Sequence, residues 1–411
     1  MNLHQGAETT PAPLMSERKV SLIGAMLVAI GPVSMALYTP AMTEIVHAFG
    51  TTEAAVKMTL SLYFAGFAIA QLFCGPLSDA YGRRPIVIGF MGIYAIASLI
   101  AVFAPTIELL IISRFLQGIG AAAGVAVSRA LVRDLFTREQ SARIMNLIGV
   151  ILSIGPAVSP TIGGLMMELA GWHSIFFLML GFGFLITMVA KFAMVETAPN
   201  RDPSRASPKG LYKAYSTLFS TPYFIGTAFI MAGTSGSLYT QATVMPFVLM
   251  DRVGLTPTQF GLGMLVQSGT FFTGTVTVHF LMKRLKSSQL VPVGLSFIAI
   301  GSVTLCTILN TMEPTFLRVM LPSATFAFGI AFVMPYMMTA SMAPFPHMAG
   351  SASALTGFTQ MSAGLLGGVI SALIGDPVLA MSLVVPGMGT MAIVSWLIWR
   401  RLPEPAQRVS V

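Results

Sequence analysis

Charge is scarce in this chain. Asp, Glu, Lys and Arg make up 9% of its 411 residues, where a soluble domain carries roughly 25%. A surface that poor in charge excludes a soluble enzyme or binding module. Cysteine is nearly absent: Cys74 and Cys306 both lie within or at the edge of apolar segments, which suggests neither a disulfide framework nor a metal site. The histidines, His4, His47, His173, His279 and His347, stand at segment ends or outside them. No Gly-x-x-x-x-Gly-Lys-Ser/Thr loop is present to cradle a nucleotide phosphate. Nor is there the short polar/apolar alternation of about ten residues that marks a transmembrane barrel strand. No cofactor and no metal are expected.

What the chain has is apolar length. Hydrophobic residues are 55% of it, and a hydrocarbon core about 30 Å thick needs roughly 20 of them per helix. Runs of that size recur near 20–46, 55–77, 85–104, 107–132, 143–167, 173–193, 222–248, 257–281, 289–309, 316–342, 350–373 and 378–399. These spacings predict an all-α integral membrane protein with twelve transmembrane helices in two six-helix bundles, 20–195 and 222–399. A tail (1–19), polar and expected to be disordered to about residue 16, precedes them, and a tail (400–411) follows. The first span is too long for the apolar core of a signal peptide and should be retained. The interval 196–221, with Pro199, Pro203 and Pro208, reads as the linker between the halves.

Orientation follows from the basic residues, because Lys and Arg accumulate in cytoplasmic loops. Of 23 Lys and Arg, only Lys57, Arg252 and Arg318 flank the other side, while Arg114 and Arg129 lie within a span. Both termini and the linker are therefore expected in the cytoplasm. The net charge of +8 then reflects topology, not a nucleic-acid footprint, which would need a basic face on a soluble domain.

Three blocks carry a resemblance. Gly75-Pro-Leu-Ser-Asp79-Ala-Tyr-Gly82-Arg83-Arg84 lies between the second and third spans, Arg114-Phe-Leu-Gln117-Gly118-Ile-Gly120 in the fourth, and Gly155-Pro156-Ala-Val-Ser-Pro160-Thr-Ile-Gly163-Gly164 in the fifth. Together they resemble the loop, fourth-helix and antiporter motifs of the major facilitator superfamily. Pro344-Phe-Pro-His-Met-Ala-Gly350-Ser-Ala-Ser is similar to the corresponding stretch of its bicyclomycin-resistance (Bcr/CflA) group of drug:proton antiporters. The resemblance implies parallel halves with nested inverted repeats. It also implies that Asp79 faces the positive end of the eleventh helix and, with Gly75, Gly82, Arg83 and Arg84, latches the halves together. The plainer reading is a turn beside a basic anchor.

Arg114 falls seven residues into its span, where a charge costs about 2.5–3.5 kcal/mol on insertion scales and should face the bundle interior or a wet cavity; the alternative is snorkelling to the nearer interface. Arg129, closer to the cytoplasmic end, is expected to snorkel. Pro156 and Pro160 weaken the fifth helix, and Gly155, Gly163 and Gly164 give it a smooth face, which suits either a kinked packing helix or a gate. Tyr38, Gln117, Asn146, Tyr239, Gln241, Gln267, Tyr336 and Gln360 are candidates for a substrate cavity, each also readable as a helix–helix hydrogen bond. Gly233-Thr-Ser235-Gly236 has the form of an intramembrane serine protease site, but no histidine reaches mid-helix to serve as its base.

The resemblance implies a monomeric inner-membrane exporter of drugs or small hydrophobic metabolites, surrounded by lipid and exchanging substrate for protons; the alternative is a transporter of one metabolite with weak coupling. Relatives carry Asp where this chain has Ala36, and all 15 acidic residues fall in loops or near span ends. Glu44 is the nearest substitute as a proton site, or else an ordinary solvated acid. The orientation is open to test: a phosphatase fused at Ser207, active only when exported, should be inactive, and activity there would reverse the assignment.

Overall fold

The computed structural model describes residues 14–198 and 207–405, excluding the side chains of 138, 142, 146 and 150–153. A helix occupies each of the twelve expected spans. In chain order the helices are α1 Glu17–Tyr38, α2 Met42–Ala48, α3 Glu53–Tyr81, α4 Arg83–Val102, α5 Ile107–Leu135, α6 Arg138–Ala170, α7 His173–Phe192, α8 Pro208–Phe219, α9 Pro222–Pro246, α10 Pro257–Leu281, α11 Ser287–Thr311, α12 Phe316–Met342, α13 Ala349–Ile374 and α14 Pro377–Trp399. In lipid each backbone N–H and C=O must be satisfied within its own segment, which is why apolar runs of this length become helices.

Three details differ from the sequence expectation. The first span is not one helix: a 3-10 turn at Thr39–Ala41 separates α1 from α2, because Pro40 has no N–H to continue the ladder. The linker holds a helix of its own, α8, with Pro208 at its first turn. Its Leu218 is buried and Tyr215 Oη donates to the Leu72 carbonyl at 2.6 Å, so α8 is fastened to α3. Finally, ten of the segments are long and apolar enough to cross a membrane, while α9 and α10 are equally long but diluted by Gly, Ser, Thr and Gln.

Each half has an apolar core, one running from Met15 to Met194 and joined by Phe247 of the other half, the second from Tyr223 to Trp399. Lipid removes any hydrophobic drive between helices, so small residues that allow close approach must supply the packing. Within the first half, α3 and α5 meet through Gly66 and Gly118: a Cβ on Gly118 would lie 2.1 Å from the Tyr63 carbonyl oxygen. Between halves, α3 packs antiparallel on α13, Ser61 beside Gly368 and Phe64 beside Gly364, and α6 packs on α10, Gly164 beside Pro257 and Gly261 beside Pro160. We call the end holding α8 the linker end, and the other the far end.

Gly118→Ala should destabilise the protein by roughly 1–3 kcal/mol through overpacking, lowering its thermal unfolding midpoint in detergent. Gly75→Ala, where nothing lies within 4 Å of the added carbon, is the control and should not lower it.

Candidate functional site

Arg114 is fully buried in the first half, with 0% exposure, so the interior placement holds and snorkelling does not occur. The guanidinium carbon lies 4.4 Å from the Tyr38 ring centroid and 4.5 Å from that of Tyr63. Its Nη1 donates to Gln117 Oε1 at 2.7 Å and touches Met179 Sδ at 3.7 Å. Each neighbour is itself fixed: Tyr38 Oη pairs with Thr59 Oγ1 at 2.7 Å, Tyr63 Oη donates to the Gly31 carbonyl at 3.0 Å, and Gln117 Nε2 donates to Ser98 Oγ at 2.8 Å. Five helices, α1, α3, α4, α5 and α7, thus converge on one cation. Its Nε and Nη2 have no hydrogen-bond partner.

None of the groups around Arg114 is a carboxylate. Among the described residues every Asp and Glu lies in a loop or in a terminal turn of its helix. Glu44, the candidate proton site, is exposed in the first turn of α2, so it is a surface acid. Beside the cage, a cavity of about 190 Å³ is lined by Ser34, Tyr94 and Met179 together with apolar side chains of α1, α6 and α7. The Tyr38 and Gln117 of the expected substrate cavity therefore belong to the first half's interior.

The other candidates separate. Gln267 Nε2 donates to Gln241 Oε1 at 2.6 Å, and Ser235 Oγ donates to Gln360 Oε1 at 2.9 Å, so Ser235 is engaged by an amide, as a structural serine would be. Tyr239 lies 5.2 Å from Phe64 across the seam between the halves. Tyr336 does not join them: it packs on Trp399, 6.2 Å away, towards the linker end. The side chain of Asn146 lies outside the described residues. Gly163 of the fifth span packs on the Leu37 carbonyl and Gly164 on that of Pro257, while Gly155 touches Val33. The Pro156 and Pro160 helix therefore lies against both α1 and the opposite half.

At the linker end Asp79 pairs with Arg83 and, at 3.9 Å, with Arg133. Arg83 also reaches Asp134 at 3.0 Å, and Glu196 accepts from the Arg83 and Arg84 backbone N–H groups at 2.9 and 3.2 Å. Gly82 makes the turn with φ +107. The pairing expected between Asp79 and the start of the eleventh span is thus internal to the first half, because Arg83, at the start of α4 just past the Gly82 turn, takes the carboxylate first. The residue that crosses to the start of α13 is Arg129, whose Nη1 donates to Ser353 Oγ; a partner on the other half replaces the expected snorkelling.

Lys57 was legible in sequence only as an interfacial charge. It is instead fully buried at the far end of the seam, donating to Glu53 Oε2 at 3.1 Å and to the Gly375 carbonyl of the other half at 3.2 Å, 5.0 Å from the Phe247 ring. Asp251 stands near it, its pKa raised first by burial and then by the like charge of Glu53, with His47, Arg252 and Lys57 opposing. No periodicity signals such a site, since its groups come from both halves.

With this geometry in view, comparisons with known proteins are informative. The sequence profile of the Major Facilitator Superfamily matches residues 24–368. An "Uncharacterized MFS-type transporter YdgK" of Bacillus subtilis is 30% identical over 85% of this chain and 87% of its own length. "Multidrug resistance protein D" of Escherichia coli is 27% identical over 90% of this chain and 93% of the relative. Among solved structures, a D-xylose-proton symporter superposes with a TM-score of 0.71 at 15% identity, over 94% of this chain and 98% of the other.

Removing a buried, uncompensated charge need not weaken a fold. Arg114→Met, which keeps length and polarisability, should leave the unfolding midpoint in detergent unchanged or higher. A fall of several degrees would make the cation a structural element.

Proposed function

Because this chain belongs to the major facilitator superfamily and is a transporter and not an enzyme, we propose that it exports drugs or small hydrophobic metabolites across the inner membrane by alternating access. In this reading the linker end faces the cytoplasm and the far end the outside, and the chain works as a monomer. The observation that carries the export reading is the likeness, across 90% of this chain, to a relative named as a multidrug resistance protein. The two seams support the alternating movement. Smooth glycine contacts on α3/α13 and α6/α10 let the halves rock, and the far end is held by hydrogen bonds across the seam: Lys57 on the Gly375 carbonyl and Glu168 on the Thr258 N–H.

Proton exchange is the usual partner of such export, and among the described residues it has no mid-depth carboxylate to use. The carboxylates standing at the seam include Glu53, Glu168 and Asp251, not Glu44. We therefore read the coupling as weak, which also suits the second reading, a transporter of one metabolite driven by its own gradient. Growth of an efflux-deficient host across a panel of toxic compounds identifies the cargo. Flux of that cargo in proteoliposomes under an imposed pH gradient then tests coupling: little dependence on the gradient is expected for wild type and for Glu44→Gln, and a gain for Ala36→Asp. Strong proton-driven flux surviving Glu44→Gln would overturn the weak-coupling reading. Arg114→Ala should abolish flux at normal abundance, with Lys restoring part of it, since Lys lacks the planar fork.

A further inference from the structure

The linker helix α8, Pro208–Phe219, is divided into three stripes, because at about 100° per residue positions four and seven apart share a side of the helix. Leu211, Tyr215 and Leu218 form the stripe turned to the protein. Leu218 is buried in an apolar cluster with Phe224, Ala352 and Leu355 of the second half, while Tyr215 Oη donates to the Leu72 carbonyl of the first at 2.6 Å. The helix therefore lies across the α3/α13 seam at the linker end and holds both sides of it.

The other two stripes hold nothing in the chain. Tyr212 and Phe219, seven residues apart, are 77% and 48% exposed, and beside them Lys209 and Lys213 are exposed as well. Among the described residues neither ammonium has a hydrogen bond or an ion pair, and α8 contains no Asp or Glu to supply one. Like charges four residues apart on a helix repel, and Lys209 stands in the first turn, where the helix dipole disfavours a cation. An anion from outside the chain relieves both.

The depth of α8 indicates which anion. Leu72 lies five residues before the end of the apolar run 55–77, about 7.5 Å along α3 at 1.5 Å per residue. One tyrosine side chain away from that carbonyl, α8 stands near the edge of the run, the level at which interfacial helices bury aromatic rings and keep lysines among headgroups. On the same stretch of α3, Ile69 and Phe73 are each 46% exposed, so an apolar surface is open at this depth too. A protein partner fits less well: a stable one covers roughly 800 Å² per side, and two aromatic rings supply at most about 500 Å².

We propose that α8 is a strap docked on the membrane, with Lys209 and Lys213 binding the phosphate of an anionic phospholipid and Tyr212 and Phe219 entering the boundary between headgroups and acyl chains. Since α8 also touches both halves, the bound lipid steadies the α3/α13 seam at the linker end. This surface is separate from the transport pathway, and its binding does not depend on the export reading.

The test is hydrogen–deuterium exchange of the full-length protein in nanodiscs of phosphatidylcholine and in nanodiscs of an equimolar phosphatidylcholine and phosphatidylglycerol mixture. Exchange of the α8 amides should slow by roughly tenfold in the mixture, as expected for two lysines at an anionic surface. The double variant Lys209→Gln/Lys213→Gln should lose that difference, whereas Lys283→Gln/Lys286→Gln, exposed lysines of another loop at the same end, should keep it. Tyr212→Ser/Phe219→Ser should speed α8 exchange in both membranes. Equal exchange of the wild type in the two membranes would overturn the proposal, as would a difference that survives Lys209→Gln/Lys213→Gln. Inorganic phosphate producing the same slowing in phosphatidylcholine nanodiscs would remove the lipid as occupant, and α8 exchange unchanged by Tyr212→Ser/Phe219→Ser would refute insertion of the rings.

Discussion

The first half is organised around a charge that has no opposite. A guanidinium at mid-helix depth costs about 2.5–3.5 kcal/mol on insertion scales. A cation–π contact in a desolvated site returns about 2 kcal/mol or more. Two such contacts, from Tyr38 and Tyr63, together with the amide of Gln117, are therefore enough to offset that cost without any carboxylate. The balance holds only if both rings reach Arg114, which requires α1 and α3 to stand close to α5. Gly118 beneath Tyr63, Gly66 against Phe115 and Gly124 against Leu27 make that approach sterically possible. The glycines and the arginine are thus parts of one arrangement.

The seam between the halves obeys another rule. In mid-membrane its contacts are of low polarity, Phe64 on Tyr239 and Gly364, which can slide without leaving a donor unsatisfied. At the far end they are polar, and water can take over each bond as it opens. Lys57 is the exception that sets the barrier, because a buried ammonium pulled from the Gly375 carbonyl must be hydrated or follow Glu53. Arg129 on Ser353 plays the corresponding part nearer the linker end. A bundle that is adaptable in the middle and hydrogen-bonded towards both ends can be released at one end while the other stays shut.

Much of this was legible in the sequence, and the failures have physical causes. Twelve spans follow from apolar length, and Arg114 from the rarity of charge within them. The tyrosine cage does not follow, because Tyr38 and Tyr63 sit on two helices and nothing in either segment points to the other. Asp79 was expected to reach the opposite half, but Arg83 lies on the next helix just past the Gly82 turn, and the local partner wins over the remote one. Lys57 reads as a loop-side charge until α13 and α9 are brought over it. Tyr336 falls close to the end of its helix, beside Trp399, where position along the span and not residue type decides its surroundings. The helix α8 escaped notice because the linker reads as proline-punctuated and polar, yet Leu218 and Tyr215 give it one face to bury.

Placing acids only at the ends has a consequence for energy coupling. A carboxylate responds to the protons on one side of a membrane only if the other side cannot reach it, so a solvated acid such as Glu44 carries no vectorial information. Glu53 differs, because its partner Lys57 is buried in the seam and bound to the opposite half. Without that carboxylate the ammonium would keep only a carbonyl and a ring, so Glu53 is part of the clamp at that end. Beside the same group, burial and the like charge of Glu53 raise the pKa of Asp251. The charged groups at this end thus serve the contact between the halves, and among the described residues no acid stands between the two ends of the bundle.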